Sequence, residues 1–171
     1  MLDEIIITET PPLAYGYGRI GQQVRIPISG SHAHRIVHGA INVWSGDVIL
    51  FISNVWDAVT HQVFLRLIRS HWRGWQIVLF EDRGKPHTAH DSLDLAAELD
   101  IQIRLLPRAT SELNAMDHLW RQTKPQALAN RATQTIAQSA MQLCDDIYAL
   151  SPHERLQKAG VLSGNFWLAR S

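Results

Sequence analysis

The stretch WQIVLFED, Trp75 to Asp82, joins a nearly continuous apolar run to two acidic residues. Such a run predicts a strand over Trp75–Phe80 that is buried on both faces, as strands of parallel sheets are. A helix is predicted before it, over Asp57–His71, and another after it, over Thr88–Leu99. A second strand, Ile101–Leu106, then ends at a proline. Because a helix separates the two strands, we expect them to run parallel in one sheet.

The residues upstream of this unit predict antiparallel strands. Leu2–Thr8 is rich in β-branched residues, and Val24–Ile28 is a second short candidate strand. Arg35–Trp44 and Val48–Ser53 flank the pair Ser45-Gly46, which is typical of a hairpin turn. The sheet is therefore expected to be mixed, with antiparallel strands first and parallel strands later.

Apolar periodicity predicts the helices. The first has apolar positions four residues apart, and its expected buried face comprises Val59, Val63, Leu67 and His71, with Phe64 and Ile68 alongside. Another helix is expected to begin near Asn114 and to stop before Pro125. Leu128–Leu150 predicts a long amphipathic helix, with Cys144 beside its apolar face as a small hydrophobic residue. The fold class is α/β, a mixed sheet flanked by helices.

Composition sets the class of protein. The chain has 171 residues, of which 46% are hydrophobic and 19% charged, as expected of one globular domain. Sixteen basic and 16 acidic side chains give a formal net charge of zero, which argues mildly against autonomous DNA binding. A single cysteine fits a reducing compartment. We find neither the pattern of a signal peptide at the N-terminus nor an apolar stretch of membrane-spanning length.

Three aspartates fall where such a sheet would bring them together. Asp3 lies on the first strand, Asp82 follows the strand Trp75–Phe80, and Asp117 lies in the first turn of a later helix. Three converging carboxylates repel one another unless a cation neutralises them. Oxygen ligands suit Mg²⁺ or Mn²⁺, and a pair of such ions supports phosphodiester chemistry.

Each aspartate also has an ordinary explanation. Asn114 and Asp117 are spaced as a capping box, and the helix dipole favours an acid in the first turn. Asp82 could be a turn residue, and Asp3 a polar residue near a chain end. Taken one at a time, these explanations are stronger than a metal site. The two roles of Asp117 are compatible, because a dipole that keeps the carboxylate ionised also helps it to hold a metal.

Basic side chains follow the second and third aspartates. They are candidates for contacts with DNA phosphates and comprise Arg83, Lys85, His87, Arg121 and Lys124. Arg121 and Lys124 share one helical side with Asp117, and ordinary solvated surface charge explains them equally well. His87 could instead hydrogen-bond an acid of the site or have a structural role.

Four segments together resemble the catalytic domain of the mariner-like insertion-sequence transposases, which belong to the ribonuclease-H-like DDE/D superfamily. The segments are Asp3-Glu4 with the glycine-bearing Tyr15–Gly21, VLFEDRGKPH at Val78–His87, LPRATSELNAMDHLW at Leu106–Trp120, and KAGVLSGNFWL at Lys158–Leu168. Thirty-four residues, 83 to 116, separate Asp82 from Asp117, which is the spacing of that family. The two inner motifs with this spacing are specific, whereas Asp-Glu alone would be weak.

The resemblance implies a ribonuclease-H-like fold and metal-dependent cleavage of DNA, followed by attack of a freed 3′-hydroxyl on target DNA. Asp3, Asp82 and Asp117 would be the catalytic residues and would hold two Mg²⁺ or Mn²⁺ ions, with no separate general base. The implied partners are transposon ends and target DNA, and a second copy of the chain in a homodimer on DNA. The implied location is the bacterial cytoplasm, at the nucleoid.

The chain also departs from the family pattern. Arg83 stands where Asn is usual, and Arg108, Ser111 and Ala115 stand where prolines are common. Only two residues precede Asp3, and no upstream helix-turn-helix region is present in the sequence. We therefore expect residues 1–171 to be a single catalytic domain without the upstream DNA-binding region, as in a truncated reading frame, a split reading frame or a fragment. In the split case the DNA-binding part is encoded separately. Two alternatives are an inactive or repurposed remnant and, with less support, a stand-alone endonuclease.

Overall fold

The fold is that of a computed structural model, which describes residues 1–9, 20–21, 33–128 and 135–170, with only the backbone at 169 and 170. The predicted strand Val24–Ile28 and most of the glycine-bearing segment Tyr15–Gly21 lie outside these residues. None of the helices in the described segments is long and apolar enough to cross a membrane.

Three strands form an antiparallel sheet in the order β1-β2-β3, namely β1 (Leu2–Thr8), β2 (His34–Ile41) and β3 (Val48–Ser53). The predicted first strand and hairpin are confirmed. The strand β2 ends three residues before the predicted Trp44, because Asn42 and Asp47 already close the turn through a backbone hydrogen bond of 2.8 Å. Asp3 pairs with Gly39 across the sheet, and Glu4 pairs with His38.

Two further strands, β4 (Ile77–Glu81) and β5 (Ile101–Leu105), pair in parallel as predicted. The helices around them are α1 (Ala58–His71), α2 (Lys85–Thr88) and α3 (His90–Glu98). The predicted helix Thr88–Leu99 is thus divided, because the backbone of Ala89 is extended between α2 and α3. Antiparallel and parallel strands form separate hydrogen-bonded sheets within one mixed α/β architecture.

Two predictions of burial are wrong. Val78 in β4 is 42% exposed, so this strand is buried on one face only. In α1, Val59 is 68% exposed, so the centre of the predicted face is wrong. Phe64 and Ile68 are buried as predicted, and they share the buried face with Thr60, His61 and Leu65. Two apolar stripes lie side by side on this helix, and four-residue spacing does not choose between them. Packing against the sheet selects the stripe that carries the larger Phe64.

Three helices complete the fold: α4 (Ala115–Leu128), α5 (Ile136–Ala149) and α6 (Pro152–Lys158). The prediction that α4 stops before Pro125 is wrong, since the helix continues through it to the buried pair Ala127 and Leu128. The long helix predicted from Leu128 begins at Ile136, where the Thr135 side chain caps it by accepting from the Gln138 N–H.

Side chains alternate between two hydrophobic clusters on opposite faces of the antiparallel sheet. Val37 and Ile41 pack against α4 and α5, whereas Ala40 packs with Leu2 against α1. The same two-residue period holds along β4, where Leu79 joins the α1 cluster and Phe80 packs toward the α4 cluster. In each of these strands, odd-numbered and even-numbered residues therefore face different clusters.

The sheet and α4 approach each other closely at Gly39. A Cβ atom at this position would overlap the Met116 side chain and come within 2.6 Å of the Trp120 ring. We expect Gly39→Ala to lower the free energy of unfolding by about 1–3 kcal/mol through overpacking. Urea denaturation measures this, with the exposed strand substitution Gln102→Ala as the control that stays within roughly 0.5 kcal/mol of the parent. Equal stability of both variants would contradict the close packing.

Candidate metal centre at the sheet edge

The three predicted aspartates line one cleft of about 440 Å³. Asp3 comes from β1, Asp82 directly follows β4, and Asp117 lies in the first turn of α4. Asp3 is at an odd position of β1, so it faces the side of the sheet that carries α4. The structure thus brings together three side chains that are distant in sequence.

Asn114 ties the start of α4 to the first strand. Its buried side chain donates from Nδ2 to the Leu2 carbonyl at 2.8 Å and accepts from the Met116 N–H at 3.0 Å. Asn114 is therefore a helix cap, as predicted, and it holds the first turn of α4 beside Asp3. The reciprocal half of the predicted capping box does not form, because the Asn114 N–H donates to the Ser111 carbonyl instead.

Asp3 carries the strongest sign of crowded negative charge. Burial, together with the charges of Glu4, Asp117 and Asp82, raises the pKa of Asp3 to about 8. A carboxyl in such surroundings ionises readily only when a cation enters the cleft. Oxygen donors alone face this cleft from the three aspartates, and that donor set fits Mg²⁺ or Mn²⁺.

Asp82 is oriented by hydrogen bonds to one of its two oxygens. Oδ1 accepts from the Gly84 N–H at 2.8 Å and lies 2.6 Å from Nδ1 of His87. The hydrogen bond from His87 is the main reason that the pKa of Asp82 is lowered. Because Oδ1 is occupied, Oδ2 is the oxygen left to bind a ligand in the cleft.

His87 is buried and bridges two acids. Its Nε2 lies 3.0 Å from Oε1 of Glu4, opposite the contact of Nδ1 with Asp82. Burial works against a charged imidazole, but the hydrogen bonds to both acids outweigh it and raise the pKa of His87 to about 11. The alternative in which His87 hydrogen-bonds an acid of the site is thus the one observed. Because His87 is only 1% exposed, the predicted contact of its ring with DNA would require the ring to leave the interior.

The other residues predicted to contact phosphates lie around the cleft, and three of them are held by contacts within the chain. Arg121 places Nη2 2.7 Å from Oδ2 of Asp117 and donates to Ser111 at 2.9 Å. Lys124 donates to the Ile6 carbonyl at 2.9 Å, and Arg83 donates from Nε to the Leu106 carbonyl at 3.1 Å. Lys85 is exposed at the start of α2. Arg108 lines the cleft too. It was not among the predicted phosphate contacts and was noted only because it stands where proline is common in the family.

The sequence matches the family described as DDE superfamily endonuclease over residues 1–139. The chain belongs to this family. No curated protein sequence matches it. The family match covers all three aspartates and most of the secondary structure described above.

Solved structures of Mos1 transposase share the fold of this DDE-family chain. The paired-end complex with the left transposon end superposes with a TM-score of 0.73 at 16% identity, covering 96% of this chain and 52% of that one. The paired-end complex with Mn gives 0.71 at 18% identity, with 96% and 52% covered. The catalytic domain of Mos1 gives 0.67 at 14% identity, with 96% and 76% covered. The chain thus spans about half the length of the Mos1 chains in the paired-end complexes.

The cap at Asn114 can be separated from its tie to β1. We expect Asn114→Ala to lower the free energy of unfolding by about 2–3 kcal/mol, because it removes the cap and leaves the Leu2 carbonyl without its buried donor. Asn114→Ser keeps a capping oxygen but is too short to reach Leu2, so it should recover about 1 kcal/mol. Urea denaturation gives both values, and an alanine variant as stable as the parent would contradict this role.

Proposed function

We propose that this chain is a transposase catalytic domain that cleaves DNA phosphodiester bonds with divalent metal ions and joins the freed 3′-hydroxyl to target DNA. The observation that carries the proposal is the convergence of Asp3, Asp82 and Asp117 on one cleft. The family's activity and the shared Mos1 fold support the same assignment.

Asp3, Asp82 and Asp117 would hold two Mg²⁺ or Mn²⁺ ions. Bound there, such ions supply an activated hydroxide and stabilise the attacking and leaving oxygens of an in-line displacement. The protein prepares the site in two ways. Hydrogen bonds to Oδ1 orient Asp82, and the Asn114 tie holds α4 and therefore Asp117 next to β1.

Cationic side chains around the cleft would position the DNA backbone. Arg83 and Arg108 line the cleft directly, and Arg121 lies one helical turn after Asp117. The Arg83 guanidinium is held by the loop that follows β5, which keeps its charge beside Asp82 without closing the cleft. Lys85 and Lys124 flank this surface and complete the set that we propose for phosphate contacts.

The partners in this proposal are DNA and a second copy of the chain. The Mos1 structures with the same fold are described as paired-end complexes and as a strand transfer complex. We also propose a separately encoded DNA-binding part that recognises transposon ends, and the zero net charge of this chain supports it. Such a protein would work at the bacterial nucleoid, in the cytoplasm.

The first test is binding of Mn²⁺, measured by calorimetry on the full chain. We expect Asp82→Asn and Asp117→Asn each to weaken binding by at least roughly tenfold, because each removes a charged ligand from one shared site. Asp94→Asn, on the exposed face of α3, changes the formal charge equally and should bind like the parent. Binding indifferent to both cleft substitutions would refute the shared site.

Strand cleavage distinguishes the remaining functions. With Mn²⁺ and supercoiled plasmid, we expect nicking by the parent chain and by Asp94→Asn, but none by Asp82→Asn or Asp117→Asn. Metal binding without nicking by the parent would favour an inactive or repurposed remnant. Tight binding to random duplex DNA at low salt, followed by cleavage without strand transfer, would favour a stand-alone endonuclease.

A further inference from the structure

A second group of ionisable side chains lies on the opposite face of the strands that carry the aspartates. Glu4 follows Asp3 in β1, and Glu81 precedes Asp82 at the end of β4, so alternation turns both glutamates toward α1. There Glu81 meets His61 of α1, and Oε1 of Glu4 meets both His87 of α2 and, at 3.3 Å, Nδ1 of His38 in β2. His61 is 1% exposed and Glu81 is fully buried.

Two of these side chains lack partners of their own. Within the described parts of the chain, neither ring nitrogen of His61 and neither carboxylate oxygen of Glu81 makes a hydrogen bond. His61 Nε2 lies 3.6 Å from Oε2 of Glu81, beyond hydrogen-bond distance. Leaving such groups buried without a partner destabilises the folded state, because they lose their hydrogen bonds to water and gain none in return. Their arrangement therefore calls for a ligand between them.

We propose that these residues form a buried site for one divalent transition ion of the Zn²⁺ class, distinct from the three-aspartate centre. The site comprises Glu4, His61, Glu81 and His87. Mixed imidazole and carboxylate donors favour Zn²⁺ and Co²⁺ over Mg²⁺, which prefers oxygen ligands alone. This inference does not require the aspartate centre to be catalytic.

Three of the four side chains bring donor atoms close enough together to share one ion. One ligand atom from each of Glu4, His61 and His87 lies within 4.8 Å of the others. Ligand distances of about 2.0–2.2 Å place neighbouring donors of a tetrahedral ion roughly 3.4 Å apart. Two contacts in the cluster lie near that value: 3.0 Å between Nε2 of His87 and Oε1 of Glu4, and 3.6 Å between Nε2 of His61 and Oε2 of Glu81. Glu81 stands outside the group of three and would reach the ion through its place beside His61.

The surrounding hydrogen bonds are those of a metal-bound histidine. Asp82 accepts from Nδ1 of His87, which orients the ring so that Nε2 faces Glu4. Carboxylate–histidine–metal arrangements of this kind fix the tautomer and raise the basicity of the ligand. Binding an ion at Nε2 would release the proton that now lies between His87 and Glu4. Burial lowers the pKa of His61 to about 4, so its ring is neutral and has a lone pair to offer.

The test is a Co²⁺ titration of the full, chelator-treated chain in excess Mg²⁺, followed by visible absorption. Excess Mg²⁺ occupies the hard aspartate ligands, so the bands of tetrahedral Co²⁺ report on the mixed site. We expect one equivalent of Co²⁺ and displacement of its bands by Zn²⁺. Saturating Zn²⁺ should also raise Tm by about 5 °C, because it binds only the folded chain.

Variants separate the two centres. His61→Leu and Glu81→Gln should each abolish the Co²⁺ bands, whereas the double variant Asp3→Asn/Asp117→Asn should keep them. His90→Leu, an exposed histidine on α3, is the matched control and should bind Co²⁺ like the parent. His61→Leu removes an unpartnered buried imidazole, so its metal-free Tm should equal or exceed that of the parent.

Three outcomes would overturn the proposal: no Co²⁺ bands in the parent, bands that persist in both His61→Leu and Glu81→Gln, or bands lost in the double aspartate variant. The first would mean that water or protons alone satisfy the cluster. Should His61→Leu fail to fold, Glu81→Gln alone decides, because it keeps the volume and replaces the carboxyl group with an amide that cannot become an anionic ligand. The nicking result under "Proposed function" is independent of all three outcomes.

Discussion

The two-residue period of β1 and β4 is the constraint on which both acidic groups depend. In each strand an aspartate and a glutamate are adjacent, and pleating sends them to opposite faces. Asp3 and Asp82 turn toward α4 and an open cleft, whereas Glu4 and Glu81 turn toward α1 and the interior. A one-residue slip in either strand would exchange the two sets, so the hydrophobic alternation that fixes the register also fixes the chemistry.

Two side chains convert this alternation into a defined site. Asn114 joins the first turn of α4 to the backbone of β1, so the third aspartate is held in place although it comes from a different layer. His87 joins the two faces, because one ring nitrogen contacts Asp82 and the other contacts Glu4. The contacts of Asn114 are buried and those of His87 are partly buried, and they join β1 to α4 and to α2 without a backbone ladder.

Much of this arrangement could be predicted from the sequence. Apolar runs, the turn residues that end them and the spacing between them predict the strand Leu2–Thr8 and the parallel pair of strands. They also predict that three aspartates lie at one sheet edge. The buried face of α1 could not be, because its two apolar stripes are equally periodic and only contact with the sheet chooses between them. The partner of Glu81 was missed for the same reason, since His61 lies on the stripe of α1 that packs against the sheet and not on the predicted one. Applying strand alternation to the adjacent Asp3-Glu4 and Glu81-Asp82 would have indicated two separate acidic groups.

Asp82 occupies the boundary between the two groups, and it accepts a hydrogen bond from the interior in either state of His87. As an imidazolium held by two carboxylates, His87 donates a charged hydrogen bond to Oδ1. As a neutral ligand of a buried cation, it would donate the same hydrogen bond to Oδ1. Oδ2 is therefore left toward the cleft in both states, and the position of this carboxylate does not depend on which state is populated. The interior cluster thus acts as a fixed support for one aspartate, while Asp3 and Asp117 rely on the first turn of α4 and on whatever cation the cleft binds.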